Sequence, residues 1–301
     1  MQFTLNLPMA SGRFQALPPG EYLEVARAAE AAGFDHISVP DNVMYPRRVS
    51  APYPYAPDGE RIWDADTPCM DPWVVIPAMA AVTRRIRFFS NVLKLAIREP
   101  ILVAKTVGSA AVLSSERVAL GVGLSWMPEE FRFLHQDMRS RGTRVDEAIA
   151  VIRLLLGGGM VEHPGTHYDF EPLTLSPAPT RPVPIYVGGT SPAALRRAAL
   201  LGDGWLSMIH GPEELRGLIE RLRGLRRDAG LSRRPFEIKV LWAAPLRRDD
   251  VERLEALGVT DLLVTPWLFE DRTCDGIEKK RESLMRFADL HRVAAAPISA
   301  P

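Results

Sequence analysis

The feature that most constrains this chain is an alternation kept up from one end to the other. Short apolar runs of strand length are each followed by a segment with apolar residues at helical spacing. Parallel strands joined by crossover helices produce that pattern, because a strand covered on both faces reads as an apolar run while each helix buries one stripe. Strands are expected at 3–7, 36–39, 86–92, 118–121, 185–187, 205–208, 236–242 and 261–265. Helices are expected at 20–32, 72–82, 100–113, 141–156, 191–201, 212–229, 249–257 and 276–291. At Ala32-Gly33-Phe34 a helix ends, glycine supplies a left-handed C′ residue without a Cβ clash, and the chain returns to a strand. Leu201-Gly202-Asp203 and Leu257-Gly258-Val259 repeat that junction. Eight strands and eight helices in alternation close as one α/β domain, a single (β/α)8 TIM barrel with its active site where the strand C-termini meet.

Two segments exceed the roughly 12 to 15 residues expected of a structureless connection. Residues 41–69, rich in proline and carrying Tyr45, Tyr53, Tyr55 and Trp63, follow the second strand on the active-site face and read as a substrate lid. Residues 157–184, before the fifth strand, open on Gly157-Gly158-Gly159 and read as a small hairpin with a proline-rich return.

Composition narrows the function. Thirty-seven basic and 37 acidic residues give zero formal charge, so no basic face is expected for nucleic acid or an anionic membrane, and a small-molecule substrate is favoured. Cys69 and Cys274 stand far apart, in no metal-ligand spacing and too few for a disulfide framework. The N-terminus lacks a basic signal-like region and no apolar run reaches about eighteen residues, so a cytoplasmic location is expected. His163 and His167 are four apart, but Pro164 and Gly165 break any helix that would align them, so no metal site is expected. No Ser-His-Asp set and no distinct pair of strand-end carboxylates argues for hydrolysis. The arginine-rich stretch 216–227 reads as a solvated helix face over Leu218, Ile219, Leu222 and Leu225.

The best local signal for chemistry is Gly188-Gly189-Thr190-Ser191-Pro192, where a strand runs through two glycines into a helix. Ser191 suits the N-cap and Pro192 the first turn, leaving free N–H groups and the positive end of the helix dipole for a phosphate. A capped turn without ligand satisfies the same pattern. Gly121-Val122-Gly123 follows the fourth strand, so both glycine turns belong at one rim, as a phosphate-bearing cofactor would need. Asp41 and Asn42 end the second strand, where the carboxylate suits a proton relay or a contact to a cofactor ring, or else an Asx turn. Ser90-Asn91-Val92 places small polar groups at the end of the third strand.

These blocks resemble the bacterial luciferase-like monooxygenase superfamily, within it the branch of F420-dependent oxidoreductases. The resemblance is carried by Ala32-Gly33-Phe34-Asp35-His36, Arg85-Ile86-Arg87-Phe88, Leu113-Ser114-Ser115-Glu116-Arg117, Gly121-Val122-Gly123 with Pro128-Glu129-Glu130-Phe131, and Gly188 to Ala198 continuing into Gly202-Asp203-Gly204-Trp205. It implies a homodimeric barrel that binds coenzyme F420 or reduced FMN in its mouth. Gly188, Gly189 and Thr190 would hold the cofactor phosphate, with Ser125 nearby and Met208 in the cofactor-binding set. A non-proline cis peptide would join Asn91 to Val92 against the central ring. Two departures stand out: Asn42 occupies the place of a histidine proton relay, and Trp126 stands where sugar-phosphate dehydrogenases of the family carry glutamate. Three readings follow: hydride transfer with F420, oxygen chemistry with FMN delivered by a separate reductase, and a barrel that binds cofactor without catalysis.

Overall fold

The structure, a computed structural model, describes residues 1–9, 16–208, 210–270 and 276–291; Cys274 lies outside them. Eight parallel strands close into a barrel: β1 (Gln2–Asn6), β2 (His36–Val39), β3 (Arg87–Ser90), β5 (Val118–Gly123), β8 (Ile185–Gly188), β9 (Gly204–Ser207), β10 (Glu237–Leu241) and β11 (Asp261–Val264). Closure comes from β11 pairing with β1, Leu262 beside Phe3, and from β3 pairing with β5, Phe88 beside Val118. The outer layer is α1 (Tyr22–Ala31), α2 (Pro72–Ala81), α3 (Pro100–Leu113), α5 (Arg141–Leu156), α6 (Pro192–Leu201), α7 (Pro212–Asp228), α8 (Arg248–Leu257) and α10 (Ile277–His291). This is the expected (β/α)8 barrel. Its main core lies between strands and helices, and a smaller apolar cluster of Phe89, Ala119, Tyr186, Leu206 and Leu263 fills the lumen.

Three details differ from the sequence reading. The third strand is broken rather than continuous over 86–92: β3 stops at Ser90 and β4 (Leu93–Lys94) resumes against β5, with the Asn91–Val92 peptide between them cis, as the resemblance implied. Two short helices, α4 (Pro128–Phe133) and α9 (Trp267–Glu270), follow β5 and β11, each too short for its periodicity to be read. Gly33 and Gly258 are left-handed as expected, at φ 87° and 92°, but Gly202 is extended, at φ −89°. Gly202 is required by proximity instead, since a Cβ there would meet Ala198 O at 2.8 Å and Gly204 O at 3.0 Å.

The insertion at 157–184 is a hairpin of β6 (Val161–Pro164) and β7 (Asp169–Leu173). Glu147 of α5 docks it, accepting from the backbone N–H groups of His167 and Tyr168 and lying 3.3 Å from His163 Nε2. His167 instead meets Thr143 at 2.9 Å, so the two histidines brace the hairpin through different partners.

Below the lumen cluster, near the strand N-termini, lies a buried ionic floor. Lys239 Nζ donates to Asp261 at 2.6 Å and pairs with Glu237 at 2.7 Å, and both Lys239 and Asp261 are fully buried. Thr4 donates to both Asp261 oxygens and His36 Nδ1 lies 3.2 Å away. Tyr186 closes the ring through Glu237 at 2.8 Å, and its own face lies 4.6 Å from the ammonium. No helix among the described residues is long and apolar enough to cross a membrane.

Candidate functional site

Register places the two glycine turns side by side. Val122 of β5 lies opposite Val187 of β8, so Gly123 and Gly188 are neighbours on the C-terminal rim. The first duty of these glycines is to admit the broken third strand. A Cβ on Gly121 would fall 1.9 Å from Ser90 O, one on Gly123 2.6 Å from Val92 Cγ2, and one on Gly188 3.0 Å from Val92 Cγ1. Val92 therefore wedges between the two turns through the cis peptide, and the glycines make that bulge possible before any ligand is considered. Gly121→Ala is expected to destabilise the fold by about 1–3 kcal/mol through overpacking against a backbone oxygen, as thermal denaturation would read.

Gly189 completes the second turn at φ 111°, where a glycine is favoured. Its carbonyl accepts from Trp205 Nε1 at 2.8 Å, so the fully buried indole of β9 holds the turn in place. Ser191 is the N-cap of α6, its Oγ accepting from Ala194 N–H at 3.2 Å. Thr190 is half-buried beside it. Pro192 has no N–H and that of Leu195 reaches Ser191 O at 2.9 Å, so within the first turn the Ala193 N–H is left without an intrahelical acceptor at the positive end of the helix dipole. Met208 directly follows β9, half-buried, its carbonyl accepting from Ser207 Oγ at 2.9 Å.

Across the rim, Asp41 is buried and both its oxygens are engaged. Arg98 grips it with two donors at 2.7 and 2.8 Å, and the Lys94 backbone N–H donates at 2.8 Å. The carboxylate thus pins the chain just after the cis peptide. The Lys94 side chain reaches on to Glu130 of α4, which is fully buried, and approaches Asn42 Oδ1 at 3.4 Å. Glu130 accepts in turn from Ser125 Oγ at 2.5 Å, holding Ser125 in its left-handed conformation at φ 66°. Asn91 donates to Asn6 Oδ1 at 3.1 Å, which also receives Ser38 Oγ at 2.8 Å. Cys69 lies close by; burial first, and then the charge of Asp41, push its thiol up to about 11.

The 41–69 segment has a small core of its own. Tyr53, Trp63 and Met127 are buried together with Trp126 against them, and the Tyr53 ring centroid lies 5.1 Å from that of Trp63 and 5.4 Å from that of Trp126. Glu129 Oε1 accepts the Ser50 N–H at 3.0 Å, latching the segment to α4. Burial opposes ionisation of Glu129, but the hydrogen bonds from Ser50 hold its carboxyl below the ordinary value.

The structure therefore brings Asp41, Asn42, Asn91, Val92, Ser125, Gly188, Gly189, Thr190 and Met208 to one end of the barrel. Sequence reasoning missed Asn6, Ser38, Lys94, Arg98 and Trp205 as parts of that end. It also missed His210, stacked on Trp205 at 6.4 Å, with Nδ1 3.1 Å from Glu214 and a buried Nε2 that has no hydrogen-bond partner among the described residues. Lysine is rare in this chain, so Lys94 at a strand end was the one signal available.

A protein of Mycobacterium tuberculosis with no assigned function is 43% identical over 271 residues, covering 89% of this chain and 93% of that one. An F420-dependent glucose-6-phosphate dehydrogenase of Beutenbergia cavernae is 32% identical over 191 residues, 62% of this chain and 52% of its own length. Among solved structures, the coenzyme F420-dependent tetrahydromethanopterin reductase of Methanopyrus kandleri superposes with a TM-score of 0.73 at 14% identity, over 96% of this chain and 97% of that one, a likeness of fold. Residues 1–282 match the family described as luciferase-like monooxygenase, and the chain belongs to that family.

Proposed function

We propose that this enzyme transfers hydride between coenzyme F420 and a small organic substrate, within a family of oxidoreductases that use F420 or a flavin. The observation that carries the reading is the meeting of two glycine turns at one rim beside the capped N-terminus of α6. The donor set fits a phosphate-bearing cofactor: the Gly188-Gly189 turn runs straight into the N-terminus of α6, and Thr190 offers a hydroxyl beside the free Ala193 N–H. When bound, the deazaflavin supplies hydride chemistry at its ring.

The chain's own residues have separate tasks in this reading. Gly188, Gly189 and Thr190 hold the phosphate, with Met208 just past the adjoining strand. Asn91 and Val92 press the bulged backbone toward the ring. Asp41 acts by position, because both its oxygens are taken by Arg98 and the Lys94 N–H, and Asn42 is an amide that cannot serve as an acid at neutral pH. Ser125 is oriented by Glu130 and Lys94. The aromatic lid excludes water from the reacting centre. Trp126 packs on Tyr53 within that lid, so its position is committed to an apolar surface rather than to a sugar phosphate. We read the working unit as a homodimer, as the resemblance implies, and its location as cytoplasmic.

A second reading, oxygen chemistry with FMN supplied by a separate reductase, is favoured by the monooxygenase description of the family. Quenching of cofactor fluorescence on adding purified protein separates the two. F420 is expected to bind at micromolar concentrations and FMN far more weakly; the reverse order would overturn the F420 assignment.

A further inference from the structure

At the pole opposite the mouth, a hollow of about 480 Å³ opens between the C-terminal half of α7, the loop before β10 and the end of α8. Five arginines line it: Arg223, Arg226, Arg227, Arg233 and Arg234. No carboxylate does. The arginines of α1, the first turn of α7, α8 and α10 pair with acids three or four residues away, as Arg27 does with Glu24 and Arg216 with Glu213. In the hollow the nearest such partner is Asp203, at 2.7 Å from Arg234, and Arg153 already shares it at 2.6 Å. Arg227 and Arg233 have no partner among the described residues. The negative end of the α7 dipole accounts for a cation or two in its last turn. It does not account for Arg233 and Arg234, which lie beyond the helix.

The site is also built in advance. Arg226, expected on a solvated face, is buried, and its guanidinium donates to Ala199 O, Leu231 O and Arg234 O while lying 4.3 Å from the Phe236 ring centroid. That one side chain holds the 231–234 loop in the form that presents Arg233 and Arg234. Arg223 donates to Leu257 O at 2.7 Å and rests on Gly258, where a Cβ would fall 2.1 Å from its Nη2. Burial, followed by the charge of Arg234, lowers the affinity of Arg226 for its proton.

We infer that this hollow binds a small organic phosphate. Several guanidinium forks around one concavity suit a multiply charged anion that can accept two or more of them, for which phosphate is better shaped than a single carboxylate. The volume lies within the range of about 300–1,000 Å³ typical of small-ligand sites. Leu222, Phe236 and Ile238 supply an apolar wall that a bare inorganic ion would leave uncovered. A nucleic-acid backbone would call for an extended basic stripe, whereas this cluster is compact and the chain is neutral as a whole.

The probes are ADP, pyrophosphate and a uridine oligonucleotide, titrated calorimetrically into the full chain at low and moderate salt. ADP is expected to bind saturably with a Kd tighter than about 1 mM, with pyrophosphate competing. R227A/R233A, which alters two exposed and unpaired side chains, is expected to weaken ADP at least about tenfold, with an unchanged melting midpoint and unchanged cofactor binding at the mouth. Absence of saturable ADP binding, equal affinity for the variant, or oligonucleotide binding that pyrophosphate fails to displace would each overturn the assignment. The outcome does not depend on whether F420 or FMN occupies the mouth.

Discussion

Replacing Lys239 with methionine is expected to destabilise the barrel by about 3–5 kcal/mol, the usual result of leaving a buried charge without its partner. Asp261 is fully buried, and the Lys239 ammonium lies 2.6 Å from its carboxylate. Methionine has nearly the length of lysine, so packing around Phe89 and Tyr186 is largely retained and the loss reads electrostatics. In a chain of this size the melting midpoint falls by about 2 °C for each kcal/mol. The double variant K239M/D261L is expected to recover much of the loss, because removing both charges abolishes the desolvation penalty as well. Equal destabilisation in single and double variants would refute this account of the floor.

The same floor contributes to the stability of the fold toward acid. Burial opposes the charge on Asp261, but Lys239 first and then the neighbouring His36 outweigh it and hold the carboxyl below the ordinary range. A depressed folded-state value means the contribution is complete above the unfolded value of about 4 and is lost as pH falls beneath it. Acid unfolding should therefore shift to higher pH in K239M, as circular dichroism across an acid titration would show.

Substituting Asp41 with alanine is expected to lower kcat/KM about a hundredfold, the scale on which a displacement of roughly 1 Å at a reacting centre acts. The variant strands the paired donors of Arg98 and the Lys94 N–H, and so frees the segment that begins at the cis peptide. Val92 then loses its fixed seat between Gly123 and Gly188. Because Asp41 acts through position, cofactor Kd should weaken along with turnover, and the pH profile of kcat should keep its shape. Asp41→Glu, which retains the charge but moves it by one methylene, should recover part of the activity. A pH profile that loses one limb in Asp41→Asn would instead show proton transfer by the carboxylate itself.

The barrel was legible because its determinants are local. Apolar spacing marks each strand and helix, Gly33 and Gly258 end helices by their own left-handed freedom, and Ser191-Pro192 announces the start of α6 within four residues. Adjacency of the glycine turns also followed, since consecutive parallel strands bring their C-terminal ends to one rim. Less legible was the reason for those glycines: the Ser90 carbonyl and the Val92 side chain stand next to them only after β3 has paired with β5. Lysine scarcity was a clue passed over, for Lys94, Lys239 and Lys280 are all buried in ion pairs.

By itself, then, the order of residues determined the eight barrel strands, the eight helices that alternate with them and the closure into a barrel. Tertiary structure alone decided who pairs with whom: Asp41 with Arg98 across 57 residues, Lys94 with Glu130 across 36, and Thr4 with Asp261 across 257. Periodicity and turn chemistry act over a few neighbouring residues, whereas an ion pair in a barrel depends on which strands become neighbours and on how far each side chain reaches once they have.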